Sequence, residues 1–255
     1  MKAEVKRFWE VDFLRGLAVI LMISYHAIYD LAYFRTFHVD MSTSFWFILP
    51  RMIASTFILL AGASLALSYS RARETLTGNR LLVKYLRRGA WIFSWGLLVT
   101  AVTWIFIRQD YVSFGILHFV GVSIILAYPF LRMRYAGLAL GVLFIALGML
   151  LQNVYIDSPW LVWLGITPKD FHSVDYFPLL PWFGVVLVGI FMGNTLYPDH
   201  KRRISLPDMS TDPMIASFCF IGKNSLFLYL IHQPLLIALL YALGALDISP
   251  LLSGL

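Results

Sequence analysis

Apolar and polar residues are not interspersed along this chain; they come in blocks. Runs of about twenty mostly apolar residues alternate with short stretches that carry most of the charge. A helix rises ~1.5 Å per residue, so ~20 residues match the ~30 Å hydrocarbon core of a bilayer. Seven runs reach that order of length: 13–34, 46–69, 90–107, 112–131, 135–154, 177–197 and 217–243. The last is long, and its start is expected to lie flat at the interface. Backbone amides in lipid must find partners within the protein, and no run alternates with the period of a barrel strand. Each run is therefore predicted as a helix. The expected fold class is all-α, a polytopic transmembrane bundle of about seven spans. One integral-membrane domain is expected over residues 1–255.

Lys2, Lys6 and Arg7 precede the first run, as in a signal peptide. The run is too long for a signal h-region and contains His26 and Asp30, so it reads as a retained span.

Composition sharpens the class. Of 255 residues, 60% are hydrophobic and 13% charged, with mean hydropathy +0.76. Soluble domains run at ~45–50% and ~25%. A disordered chain, a disulfide scaffold and an ordinary soluble enzyme are excluded. So few charges cannot tile a nucleic-acid-binding face. The single cysteine, Cys219, permits no intrachain disulfide and reads as a small buried hydrophobe.

The net charge of +6 is a question of placement. Arg71, Arg73, Arg80, Lys84, Arg87 and Arg88 crowd a 70–89 loop, and Arg132, Arg134, Lys201, Arg202 and Arg203 sit in two later connections. With Lys2, Lys6, Arg7, Arg15 and Lys223, sixteen of the twenty basic residues fall on one side of a seven-span weave. Only Arg35, Arg51, Arg108 and Lys169 fall on the other. The positive side is cytoplasmic, so the N-terminus is expected inside and the C-terminus outside. The expected location is the plasma membrane of a prokaryote. The 155–176 connection, with Trp160 and Trp163, reads as an external interfacial segment.

Ionisable residues inside spans are costly and point to function. His26 and Asp30 share one helix face at i and i+4. A carboxylate one turn from an imidazole can fix its tautomer and raise its basicity, as a general base requires. The competing reading is a buried polar pair that joins helices. Arg51, His118, Asp175, Trp182 and His232 are candidates for holding an acceptor toward the outer side. His38, His172 and His200 lie in loops, and no cluster has metal-ligand spacing. Asp12 and Arg15 stand at the inner start of the first span. Arg15 precedes His26 by eleven residues, ~16 Å along a helix. A long anionic ligand such as a coenzyme A thioester has the shape to rest phosphates near Arg15, Arg71 and Arg88 and reach His26. The alternative for Arg15 is a snorkelling anchor.

These residues resemble a known group. Arg15, ten intervening residues and His26 resemble the Arg/Lys-x10-His signature of membrane acyltransferase-3 proteins. The run RFWEVDFLRGLAVILMISYHAIYDL, with FGILHFVGVS, DYFPLLPWFGVVLVGIFMG and IGKNSLFLYLIHQPLL, is similar to prokaryotic relatives of the heparan-alpha-glucosaminide N-acetyltransferase catalytic domain. The likeness covers about residues 7–240. It implies a membrane-embedded O- or N-acyltransferase that takes its acyl group, acetyl above all, from cytoplasmic acyl-CoA. The implied acceptor is a hydroxyl or amine of a sugar-like molecule at the outer face. His26 then looks like the base, and Arg15 like support for the acyl-CoA. The lysosomal enzyme of that group carries its important histidine in the loop after the first span, near the place of His38. The resemblance leaves the oligomeric state open between a single chain and a homodimer. The reading from another class is a proton-coupled transporter using the intramembrane His and Asp residues.

Overall fold

A computed structural model describes residues 7–34, 40 and 43–245. His38 and Arg35 lie outside the described residues. The fold is all-helical. The elements are α1 (Trp9–Tyr33), α2 (Ser44–Thr75), α3 (Gly78–Phe106), α4 (Ile116–Leu126), α5 (Tyr135–Leu151), α6 (Leu179–Leu196), α7 (Pro213–Lys223) and α8 (Ser225–Ala242). Five of them, α1, α2, α3, α6 and α8, are long and apolar enough to cross a membrane. The other three are shorter: α5 has 17 residues, and α4 and α7 have 11 each. A 3-10 turn, Tyr128–Arg132, lengthens the α4 path.

The chain divides into two compact units, with the boundary inside α2. The first unit joins the start of the chain to its end: α1, the first half of α2, α7 and α8. Glu10 and Asp12 occupy the first turn of α1, where the helix dipole favours negative charge. Asp212 caps α7 by accepting the Ile215 N–H at 3.0 Å, with Pro213 at the first helical position. The predicted span 217–243 is two helices, not one. Asn224 ends α7: its N–H reaches the Phe220 carbonyl at 3.2 Å, its side-chain amide reaches the same oxygen at 2.9 Å, and α8 starts at once.

The α1–α7 seam is backbone against backbone. A Cβ on Gly16 would land on the Phe218 carbonyl oxygen, and one on Gly222 would land on that of Asp12. Small residues at such crossings let helices approach where lipid supplies no hydrophobic drive.

The second unit holds the rest of α2 and α3 to α6. The expected 70–89 loop is instead two helix ends. α2 runs to Thr75, and after Leu76 and Thr77 the chain enters α3 at Gly78, whose φ of +53° suits glycine. Its cations therefore project from helices. α3 and α4 meet at Gly89 and Gly121, where a Cβ on Gly89 would come 2.6 Å from the Gly121 oxygen. The 155–176 connection has isolated bridges, a 3-10 turn at Pro159–Leu164 and an 82% exposed Trp160. The Tyr176 hydroxyl donates to the Val162 carbonyl at 2.7 Å, and burial pushes its pKa up.

Candidate active site

In the first unit, α1 sets His26 and Asp30 one turn apart and α8 sets His232 and Gln233 side by side. The His26 Nδ1 lies 2.8 Å from the Met22 carbonyl, one turn back on its own helix. A carbonyl can only accept, so Nδ1 carries the hydrogen and the neutral ring keeps its lone pair on Nε2. His232 repeats the arrangement: Nδ1 lies 2.6 Å from the Tyr229 carbonyl, and Nε2 is buried with no hydrogen-bond partner. The two imidazoles stand edge to face, with centroids 4.9 Å apart and planes at 75°.

Asp30 is 3% exposed. Its Oδ1 accepts the Gln233 amide at 2.7 Å, while its Oδ2 and the Gln233 Oε1 are buried without partners. Asp30 thus binds α8 rather than orienting His26; the Met22 carbonyl does the orienting. Of the two sequence readings of the pair, these hydrogen bonds show the helix-joining one. Unpartnered buried acceptors cost ~1–3 kcal/mol each and call for an explanation. Three of them gather here, and each is an acceptor.

Toward the α1 C-terminus, Tyr25, Tyr29 and Tyr33 form a ladder. Tyr25–Tyr29 and Tyr29–Tyr33 centroids are both 6.0 Å apart, with near-parallel rings. Trp46 of α2 tilts against Tyr25 at 6.3 Å, and Tyr25 meets the His26 ring edge-on at 5.6 Å. Arg51 is exposed on α2. It donates to the Phe47 carbonyl at 2.7 Å and stacks 3.5 Å over the Phe47 ring.

At the other end of α1, Arg15 is ion-paired with the buried Asp12 at 3.0 Å and reaches the Gly222 carbonyl at 3.5 Å. Arg7 stands 3.9 Å from the second Asp12 oxygen.

The remaining candidates belong to the second unit. His118 is 2% exposed, and both of its ring nitrogens are engaged. Nδ1 accepts the Gly115 N–H at 3.2 Å. Nε2 lies 3.3 Å from the Thr100 hydroxyl, whose own hydrogen goes to the Val112 carbonyl at 2.6 Å. Phe93 and Phe114 enclose the ring, and a Cβ on Gly96 would meet it at 3.0 Å. Asp175 accepts the Ile116 N–H at 3.0 Å, so His118 and Asp175 together close the start of α4. Trp182, on α6, packs against Phe177 with centroids 5.1 Å apart. Arg71 is half-buried on α2. The exposed Arg88 lines an open recess on α3 with Lys84, Arg87, Trp91 and Ser94.

The structure thus gathers His26, Asp30 and His232, and separately pairs His118 with Asp175. Gln233 and the tyrosine ladder were missed by the sequence reading. The ladder was visible as tyrosines at i, i+4 and i+8; the Gln233–Asp30 contact joins residues 203 positions apart and left no local signal. Among the described residues, no group of three or more His, Cys, Asp or Glu is placed to hold a metal.

A family model described as "Heparan-alpha-glucosaminide N-acetyltransferase, catalytic" matches residues 7–234, and so spans both units and every candidate above. No curated protein and no solved structure matches the chain.

Proposed function

The chain belongs to the heparan-alpha-glucosaminide N-acetyltransferase catalytic family, and from that premise we propose that it is a transmembrane acetyltransferase fed by acyl-CoA from the cytoplasm. The acceptor is a hydroxyl or amine of a sugar-like molecule at the outer side, and His26 is the base. The observation that carries this reading is the His26 Nδ1–H held by the Met22 carbonyl, which leaves the lone pair on Nε2, beside three unpartnered buried acceptor atoms.

In the proposed reaction, the acceptor's proton moves to His26 Nε2 as its oxygen or nitrogen bonds to the thioester carbonyl carbon. The carbon–sulfur bond then breaks, and His26 returns the proton to the departing thiolate. Asp30, held by Gln233, supplies a fixed negative charge beside the base. The tyrosine ladder offers flat faces on which a sugar ring can stack. Arg15, whose guanidinium Asp12 holds in place, has further N–H groups to donate to the acyl-CoA phosphates. Seven crossings with α7 at the cytoplasmic surface put the N-terminus inside and keep most cations there.

The test uses the detergent-purified chain with acetyl-CoA and a sugar acceptor. Wild type releases free thiol, His26→Ala does not, and both are stabilised against heating by acetyl-CoA. Wild-type turnover by a folded His26→Ala protein would remove His26 as the base. Absence of stabilisation by any acyl-CoA would remove the donor.

A further inference from the structure

We propose that His232 is a second catalytic base, which takes the first proton from an acceptor amine arriving as an ammonium and leaves the second proton to His26. This rests on the acetyl-transfer reading above.

The cluster is one-sided in its chemistry. His26 Nε2, His232 Nε2, Asp30 Oδ2 and Gln233 Oε1 are all acceptors, and the last three are buried without partners. The cluster's donors are already used: each imidazole Nδ1–H goes to its own helix, and the Gln233 amide goes to Asp30. A hydroxyl brings one hydrogen to such a site. An ammonium brings three, with a positive charge that the Asp30 carboxylate balances.

An ammonium nitrogen has no lone pair and cannot attack. It must lose one proton before attack and another as the carbon–nitrogen bond forms. A hydroxyl needs one base; this site holds two imidazoles in the same tautomer. The Asp30 carboxylate is already held by the Gln233 amide, whereas the buried Nε2 of His232 has no partner to displace. His232, 7% exposed and adjacent in sequence to the Gln233 that grips Asp30, is placed for that transfer. His26 is half-buried and remains for the thioester step.

Atoms and charge balance. Ammonium plus thioester gives amide, thiol and one proton. The first proton passes from nitrogen to His232 Nε2 and on to water. The second passes from nitrogen to His26 Nε2 and on to the sulfur as the carbon–sulfur bond breaks. Two cationic rings with centroids 4.9 Å apart would repel, so the first proton leaves before the second arrives. The titratable groups facing His232 are His26 and, through Gln233, Asp30 from α1, with Tyr229 from its own helix. α7 carries Cys219 and Lys223, and the Cys219 thiol is turned to the Trp9 carbonyl.

The experiment follows thiol release by the full chain with acetyl-CoA and glucosamine, from well below to well above the acceptor's own ammonium pKa. His232→Asn keeps an N–H in place of Nδ1–H for the Tyr229 carbonyl but has no basic nitrogen. It should lose about a hundredfold in kcat at low pH. It should recover to within a few-fold of wild type once the amine arrives neutral, with its melting temperature unmoved. His26→Ala should not recover at any pH. A His232→Asn loss of equal size at every pH, or no loss at low pH, overturns the role. If His232→Asn does not fold, His232→Gln carries the same readout. Silence of wild type toward every acceptor overturns the transfer reading and this inference together; wild-type transfer with a pH-independent loss overturns this inference alone.

Discussion

His118 and His232 are both buried histidines on apolar helices, and their ring nitrogens are used in opposite ways. His118 has a partner at each nitrogen, the Gly115 amide and the Thr100 hydroxyl, so it works as a neutral clamp on the start of α4. His232 ties one nitrogen to its own helix and leaves the other bare, beside a second histidine whose Nδ1 is tied the same way. Burial alone does not distinguish a structural histidine from a reactive one. What distinguishes them is whether the second nitrogen still has a proton to take.

The strongest way to break this contrast is to remove the proposed base. His26→Ala should lower acetyl transfer by about 10²–10⁴-fold with little change in melting temperature. A stability loss of similar size to the activity loss would make the first unit's histidines structural after all.

His118→Ala should do the reverse. It orphans the buried Gly115 N–H, removes the ring N–H that the Thr100 oxygen accepts and leaves a cavity between Phe93 and Phe114. The expected cost is about 2–4 kcal/mol in stability. Turnover per folded molecule should fall only a few-fold, checked by denaturation in parallel with rate. A hundredfold loss of turnover in well-folded protein would put His118 in the chemistry.

Gln233→Ala tests the first unit's support rather than its base. With both Asp30 oxygens left unpartnered, about 1.5–3 kcal/mol of stability should go, and kcat should suffer more than KM. An unchanged kcat would mean that Asp30 needs no fixed position. The smallest effect is expected from Thr100→Val, which removes one acceptor for His118 and one donor to Val112. About 1 kcal/mol of stability, with unchanged turnover, is the expected result.

Much of the fold was legible because lipid demands long apolar helices. Predicted runs 13–34, 46–69 and 177–197 fall on α1, α2 and α6 with ends shifted by a few residues. What was illegible lay in choices that hydropathy does not record. Asn224 splits a continuous apolar run: its backbone N–H and its side-chain amide both end on the Phe220 carbonyl, and a new helix starts at Ser225. The charges of 70–89 looked like a loop because cations mark the membrane edge, yet arginine and lysine are good helix formers and both helices simply continue past it. His26 and Asp30 were correctly placed on one face, but spacing within α1 could not reveal that a glutamine 203 positions away claims the carboxylate. His118 read as a candidate for the same reason His232 did; only its partners, Gly115 and Thr100, tell them apart.

The seam between Gly16 and Gly222 also sets a timetable for the protein's birth. The Arg15–Gly222 contact closes a gap of 207 positions. At ~5–20 residues per second, α1 enters the membrane roughly 10–40 s before the helix it lies against has been synthesised. For that interval Asp30 is in the bilayer without Gln233, and Gly16 lacks the Phe218 carbonyl that it will later face. The half of the molecule that carries the proposed chemistry is thus finished last, and a ribosome that stops early leaves behind a membrane protein with a nascent base and no site.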